Sequence, residues 1–178
     1  MKIKFGLAFI ILAAAFVYFT FRGGYFGSDQ PVVEKQNSYS TEAIVGRLLS
    51  FDLRDYQGNK LELESGKLKA AKKIVIHLWA SWCGPCVNEV PELVAFSKKN
   101  QDVMFVIVSL DDYQDDIEKF LKSFPEFNSQ KYVRVWDRDK VISRYFDADR
   151  LPMSVIINET ASQPQLLKAV VDWKHIKI

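Results

Sequence analysis

The chain has 178 residues and a formal net charge of +2, with 24 Lys and Arg against 22 Asp and Glu. This scattered balance argues against a nucleic-acid-binding protein, which would present a clustered basic face. Hydrophobic residues make up 48% of the chain, enough for the core of one domain plus appendages, and the two cysteines are too few for a disulfide-stapled scaffold.

The N-terminus has the pattern of a targeting element. Residues 5–21 carry no charge, and Lys2 and Lys4 precede them. A helix over this run would span about 25 Å, at the short end of what crosses a bilayer, with the N-terminus in the cytoplasm. A cleaved signal peptide is the alternative, because alanines at 13–15 offer small residues. Residues 1–21 are therefore a membrane anchor or a signal sequence, and the anchor is favoured because the apolar run continues beyond the alanines.

A linker and a β-hairpin are predicted next. Residues 22–43 are rich in Gly, Ser, Gln and Asn without a hydrophobic period, which predicts a flexible linker. The globular domain is then assigned to residues 44–178. Its first segments, 48–53 and 61–64, alternate in hydrophobicity on either side of a turn signature at 55–59, which predicts a hairpin.

Downstream, short apolar runs alternate with helical patterns. Helices are predicted after the cysteine pair, around residues 117–124 and at 140–146. Strands are predicted at 74–79, 103–110, 133–136, 152–157 and 166–171. This order predicts an α/β domain with a central mixed β-sheet flanked by helices.

The two cysteines, Cys83 and Cys86, enclose Gly84 and Pro85 where a predicted strand gives way to a helix. The first turn of a helix presents unpaired N–H groups and a partial positive charge, so a thiolate at Cys83 would be stabilised there. Cys86 lies three residues on, on the same helical face and within reach of a disulfide. Pro85 fits the first turn, where its missing N–H costs nothing. The motif therefore indicates thiol–disulfide exchange, in which a thiolate attacks a disulfide.

Metal binding is the main alternative for such a pair. Structural zinc needs four ligands, and besides the cysteines only His77 and His175 stand out as candidates. Haem attachment would need His at the position of Val87. The acidic cluster at 111–116 lacks the spacing of a calcium loop and is better explained as acids at a helix N-terminus. We therefore expect no metal, and no cofactor besides a redox-active Cys83–Cys86 disulfide.

Residues 78–86, with the sequence LWASWCGPC, resemble the active-site segment of thioredoxins. The wider pattern resembles their membrane-anchored relatives, the TlpA, ResA and DsbE group. It includes a hairpin motif at 51–58, Glu89 just after the cysteines, and a segment at 151–157 similar to the family's cis-proline loop and following strand. The resemblance spans roughly residues 48–171. It implies a thioredoxin-like fold with an N-terminal β-hairpin extension.

The resemblance also implies roles for individual residues. Cys83 would be the attacking cysteine and Cys86 the resolving one, with Gly84 and Pro85 supporting them. Trp82 would flank the active site. Pro152 would be the cis-proline facing the disulfide, and Leu151 would offer backbone groups to an extended substrate. From the residues alone, Pro152 could equally be a proline at the start of a strand.

Two polar residues are candidates for supporting the cysteines. Glu89 matches an acidic residue of the membrane-anchored group that is thought to tune them, although a lone Glu on a helix is usually solvated. His77 occupies the position of a buried Asp that, in thioredoxins, is thought to take the proton from the resolving cysteine. A neutral imidazole could do the same. The alternative is a core histidine satisfied by a backbone carbonyl or a water.

The implied function is reduction of disulfides in exported proteins, for example in cytochrome c maturation. The domain would lie on the extracytoplasmic, periplasmic side of the cytoplasmic membrane and receive electrons from a membrane donor of thiol-reductase type. The Gly-Pro dipeptide points to a reductant, since thioredoxin-type centres have potentials of about −270 mV. An oxidase or isomerase of the same fold and a non-catalytic copper carrier are the alternatives.

Three departures from the family pattern stand out. The loop at 146–150 lacks the usual glycines and is one residue longer, which predicts altered substrate selection. The sequence ends soon after the last predicted strand, where relatives usually add a helix, so one sheet face is expected to be less covered or to be covered by a partner. The third departure is His77.

Overall fold

The computed structural model describes residues 39–178, so the predicted anchor at 1–21 and most of the predicted linker lie outside the described residues. The first element is the helix α1, Thr41–Ser50, which begins within the last residues assigned to the linker. The side chain of Ser40 accepts the N–H of Ala43 and satisfies a donor that the helix start leaves free. Within the described part of the chain, no helix is long and apolar enough to cross a membrane.

The strand predicted at 48–53 is wrong in its first half. Leu48 lies on the buried face of α1 with Ile44, because residues four apart share one face of a helix. Alternation begins only at β1, Leu53–Arg54, which pairs antiparallel with β2, Lys60–Leu61. The predicted hairpin is therefore confirmed, with strands of two residues each.

The remaining elements form a mixed sheet flanked by helices, as predicted. In chain order they are α2 Ser65–Ala70, β3 Lys73–Trp79, α3 Gly84–Lys99, β4 Met104–Ser109, α4 Gln114–Ser123, a 3₁₀ helix Pro125–Asn128, β5 Tyr132–Trp136, α5 Val141–Tyr145, β6 Met153–Asn158 and β7 Gln165–Leu167. The strand order is β2-β1-β5-β4-β3-β6-β7. Strands β3, β4 and β5 are parallel, and β6 runs antiparallel to β3.

The crossovers position the cysteine motif. The connections β3–α3–β4 and β4–α4–β5 move in the same direction across the sheet, so right-handed crossovers put α3 and α4 on one face. The three parallel strands also end level, because Trp79 pairs with Ser109 and Ser109 with Trp136. The loops that follow these strands therefore share one edge of the sheet, where α3 begins at Gly84 after Cys83.

The C-terminal residues cover a part of the sheet that the sequence suggested would be bare. The strand predicted at 166–171 is shorter, since β7 ends at Leu167. Val171 and Trp173 beyond it are buried. The Trp173 ring packs on Phe96 of α3 with centroids 5.1 Å apart. The chain's own tail, without regular secondary structure, thus packs beside α3.

Candidate active site

The loop between β3 and α3 holds both cysteines. Cys83 is the N-cap of α3, with Pro85 in the first turn. Cys83 and Cys86 form a disulfide, and their Cα atoms are 5.2 Å apart. The backbone N–H of Cys86 donates to Cys83 Sγ at 3.2 Å. A donor aimed at this sulfur stabilises the thiolate once the disulfide is reduced.

Exposure distinguishes the residues around the disulfide. Cys83 retains 6% of its surface and Cys86 only 1%, so the approach from solvent is to Cys83. Trp82, directly before it, is 66% exposed and presents its ring beside the motif. The structure therefore places the predicted attacking cysteine outermost and the predicted resolving cysteine beneath it.

A buried carboxylate that sequence analysis missed holds the loop before the disulfide. Asp111 accepts the Ser81 backbone N–H at 3.0 Å and the Ser81 hydroxyl at 2.7 Å. It also accepts the Ser109 hydroxyl at 2.8 Å and is fully buried. Its interpretation as one of several acids at a helix N-terminus is wrong, although Asp115 and Asp116 do lie in the first turn of α4. The available signal was its position directly after a buried strand, where loops of neighbouring parallel strands meet.

The Leu151–Pro152 peptide bond is cis, as the resemblance implied. Met153, the next residue, pairs with Leu78 near the end of β3. Pro152 therefore lies at the same end of the sheet as the cysteine loop. Pro152 is buried and Leu151 half-buried. Their contact with substrate stays a prediction.

The loop at 146–150, which departs from the family pattern, forms ion pairs with Lys168. Asp147 has φ of 51°, a left-handed conformation that glycine adopts most readily and Asp tolerates. Lys168 Nζ lies 3.5 Å from a carboxylate oxygen of Asp147 and 3.3 Å from one of Asp149. The loop thus reaches its shape with an Asp and an ion-pair cluster.

His77 lies in the middle of β3 and is 1% exposed. It pairs in register with Ser154, and its Nδ1 lies 3.0 Å from the Ser154 hydroxyl oxygen. Burial lowers the pKa of His77 to about 3, so the ring is neutral near neutral pH. The partner is a side-chain hydroxyl, not the carbonyl or water considered from sequence. A neutral ring is able to accept a proton, and that role stays a prediction.

Glu89 is 3% exposed on the buried face of α3, so its interpretation as a solvated helix residue is wrong. Its Oε1 accepts the backbone N–H of Val171 at 3.2 Å and the indole N–H of Trp173. Its Oε2 is buried without a hydrogen-bond partner in the part of the chain described. Burial raises the pKa of Glu89 to about 7, against the two donors, which lower it. A carboxyl that changes charge near neutral pH therefore lies three residues from Cys86.

The Redoxin family model matches residues 46–162. This chain belongs to the Redoxin family. It is 25% identical over 167 residues to the thiol-disulfide oxidoreductase ResA of Bacillus cereus, covering 94% of this chain and 88% of that protein. It is 36% identical over 81 residues to a thioredoxin of Echinococcus granulosus, covering 46% of this chain and 65% of that one.

Solved structures with a similar fold include a secreted Mycobacterium tuberculosis disulfide oxidoreductase described as homologous to Escherichia coli DsbE. It superposes with a TM-score of 0.59 at 20% identity, covering 72% of this chain and 92% of that one. StoA of Bacillus subtilis superposes with a TM-score of 0.53 at 22% identity, covering 70% and 90%. The thioredoxin-like fold and the TlpA, ResA and DsbE grouping are confirmed. This Redoxin is a thioredoxin-type thiol–disulfide oxidoreductase.

The two histidines that the metal hypothesis required lie in different environments. His77 is buried in β3, whereas His175 is exposed and its Nδ1 lies 2.8 Å from Asp172. Over residues 39–178, no three His, Cys, Asp or Glu side chains come together as a metal site. Cys83 and Cys86 are instead bonded to each other.

Proposed function

We propose that this Redoxin reduces disulfides of exported proteins, with Cys83 as the attacking thiol and Cys86 as the resolving thiol. The observation that carries the assignment is the position of Cys83, outermost at the start of α3 with a backbone N–H on its sulfur. Cys86 is deeper in the same helix and already within bonding distance of Cys83.

The reaction begins from the dithiol. The Cys83 thiolate attacks one sulfur of a substrate disulfide, forms a mixed disulfide and releases one substrate thiolate. Cys86 then loses its proton and attacks Cys83 Sγ, which forms the intramolecular disulfide and releases the second substrate thiolate. Two electrons and two protons pass to the substrate, and the chain is left in the oxidised form seen in the structure.

A reductant of this kind needs an electron source. We propose a membrane-bound dithiol donor that reduces the Cys83–Cys86 disulfide by the same exchange in reverse. The redox-active disulfide would then be the only redox group that the reaction requires. Cytochrome c maturation is the proposed setting, because it is the process that the resemblance to the ResA and DsbE group implies.

Serine variants test the roles of the two cysteines. Cys83→Ser should abolish reduction of a protein disulfide, because the attacking sulfur is lost. Cys86→Ser should accumulate mixed disulfides through Cys83, which non-reducing electrophoresis would detect. Each variant is the matched control for the other, since both replace one sulfur by oxygen. Faster alkylation of Cys86 than of Cys83 near neutral pH would contradict the assignment.

The direction of electron flow is tested by the reduction potential. Equilibration of the domain with defined thiol–disulfide buffers should give a value near the thioredoxin range of about −270 mV. A value near the roughly −120 mV of a strong oxidant would move the proposed function to disulfide formation.

The proposed location is the extracytoplasmic side of the membrane, with residues 5–21 as a retained anchor. The support is the uncharged run behind Lys2 and Lys4. The intact mass of the protein from its native membrane should include these residues. A mature chain that begins near residue 16 would contradict the anchor.

A further inference from the structure

The tail after β7 attaches to the active-site helix at two points. We call Val171, Trp173 and Lys174 the C-terminal clamp. Val171 and Trp173 donate to Glu89, and Lys174 Nζ lies 2.7 Å from a carboxylate oxygen of Glu92, one turn further along α3. The clamp therefore holds two successive acidic positions of the helix that carries Cys86.

Trp173 contacts both buried titratable groups of this region. Its indole N–H donates to Glu89, and its ring lies edge-on to His77 with centroids 6.1 Å apart. The ring also packs against Phe96, and Trp173 is 2% exposed. Together with the Val171 N–H, this side chain thus holds a carboxyl that lies on the buried helical face of Cys86.

We propose that Trp173 is a positioning residue: its indole N–H holds the Glu89 carboxyl and thereby sets the pH range in which the reduced cysteine pair reacts. The inference rests on the proposed function, in that it takes the Cys83–Cys86 pair to act by thiol–disulfide exchange. It concerns a residue in the tail, far along the chain from the cysteine motif.

The physical basis is a balance at one carboxyl group. Burial favours the neutral form, whereas donors to Oε1 favour the carboxylate, and the pKa of Glu89 settles at about 7. Of the charged groups around it, Glu92 on the same helix raises this pKa. Lys174 partly offsets Glu92 from the tail, and His77 faces the region from β3 as a neutral ring. Loss of the indole donor should therefore keep Glu89 protonated to higher pH.

The link to the cysteines is the helical spacing. Cys86 and Glu89 are three residues apart and both are buried, so they share one face of α3. A carboxylate opposes formation of a second negative charge close by, so the two groups titrate as a coupled pair. The rate at which the dithiol reacts should therefore show an inflection where Glu89 ionises.

The test uses the full chain in its reduced form, with alkylation rate by iodoacetamide measured across pH. Trp173→Phe keeps an aromatic ring but removes the donor, and it should move the inflection up by at least about half a pH unit, which is about a threefold change in the ratio of ionised to neutral Glu89 at a given pH. Glu89→Gln should remove the inflection. In the double variant, adding Trp173→Phe to Glu89→Gln should not change the pH profile further. Tyr132→Phe is the matched control, because it removes a buried polar group that contacts α3 at Ser97 instead of at Glu89. This variant should leave the inflection in place.

A measurement on the unmodified chain covers the case in which Trp173→Phe does not fold. The NMR shift of the Trp173 indole proton should titrate with the same inflection as the alkylation rate, and this change should disappear in Glu89→Gln. An inflection that stays in place in Trp173→Phe, or an indole signal that does not titrate, would overturn the inference. Disulfide reduction by the wild-type chain is assayed separately, so its absence would count against the proposed function alone.

Discussion

Two regions on the same face of the sheet are built in opposite ways. Under α4, Trp79 packs against Phe120 and Phe127, with ring centroids 4.2 Å and 5.2 Å apart. We call these three residues the aromatic cluster. Under α3 and the tail, the sheet instead presents His77 and Ser154, which lie beside Trp173 and Glu89. We call these four residues the polar cluster.

The two clusters differ in how their polar atoms are satisfied. The indole N–H of Trp79 donates to the Tyr56 hydroxyl at 3.1 Å, and that hydroxyl donates to the Ile107 carbonyl at 3.2 Å. In the polar cluster, Glu89 Oε2 is buried without a partner in the described chain, and both titratable groups have shifted pKa values. The buried side-chain polar atom that lacks a partner in the described chain therefore lies in the polar cluster, and burying it without a hydrogen bond costs free energy.

The largest expected effect is in the aromatic cluster. Phe127→Ala should lower the free energy of unfolding by about 3–5 kcal/mol, because Phe127 is fully buried against Trp79 and Phe120 and leaves a cavity. Urea denaturation of the oxidised domain would measure this loss. The pH dependence of cysteine alkylation should be unchanged where the variant is folded. A changed pH profile would show that the two clusters are not independent.

The pH dependence of stability should show the polar cluster directly. Burial lowers the pKa of His77 from 6.5 to about 3, so the unfolded chain binds more protons in that window and stability rises with pH. Burial raises the pKa of Glu89 from 4.5 to about 7, so the folded chain binds more protons and stability falls as pH rises. The two slopes, each at most about 1.4 kcal/mol per pH unit, should cancel in the overlap between these windows.

Single variants separate the two slopes. In His77→Asn, stability should fall with rising pH across the overlap, and in Glu89→Gln it should rise. Urea denaturation at a series of pH values measures both, and the slope is compared, not the absolute stability. Parallel profiles for both variants and the wild type would contradict the assigned protonation states.

The same His77→Asn variant addresses the proton-acceptor role of His77. Asn keeps a polar side chain beside Ser154 but does not titrate. If His77 accepts the proton of Cys86, resolution of the mixed disulfide should slow and its pH profile should change. An unchanged rate and profile would leave His77 as a structural residue only.

Asp111 lies at the shared edge of the sheet, and its loss should have an intermediate effect. Asp111→Asn replaces one acceptor oxygen by a donor, so at least one of its bonds to Ser81 or Ser109 is lost. We expect a decrease of about 1–3 kcal/mol in the free energy of unfolding. Asp115→Asn in the first turn of α4 is the matched control and should change it by less than about 1 kcal/mol. Equal losses would contradict the anchoring role of Asp111.

The smallest effect on stability is expected at Trp82. Because its side chain is 66% exposed, Trp82→Ala should change the free energy of unfolding by less than about 0.5 kcal/mol. The rate of protein-disulfide reduction should fall, since an apolar surface beside Cys83 is removed. Reduction of a small-molecule disulfide is the comparison. Equal loss on both substrates would show that Trp82 acts on the cysteines and not on protein docking.

The sequence predicted well the features that local patterns determine. The apolar run at β3, the turn to α3 and the cysteine spacing are all local, and each was found where predicted. The first helix was missed because only Leu53 and Arg54 follow the strand period, whereas Leu48 belongs to a helical stripe.

The polar cluster could not be predicted because its contacts join distant parts of the chain. Glu89 and Trp173 are 84 residues apart, and His77 and Ser154 are 77 apart. Helical spacing from Cys86 puts Glu89 on the buried face of α3, but its hydrogen-bond partners come from a tail without regular secondary structure. Asp111 was misassigned for a related reason: its contact with Ser81 depends on which strands are neighbours.

The sheet ends at both sides in very short strands, with Lys60–Leu61 at one margin and Gln165–Leu167 at the other. Lys60 and Glu62 pair at 3.3 Å along the first margin and place charge there. Short, charged margins give extended polypeptides little backbone on which to add as a further strand. A polypeptide that reaches the cysteines therefore finds little sheet margin to which it could pair as a strand.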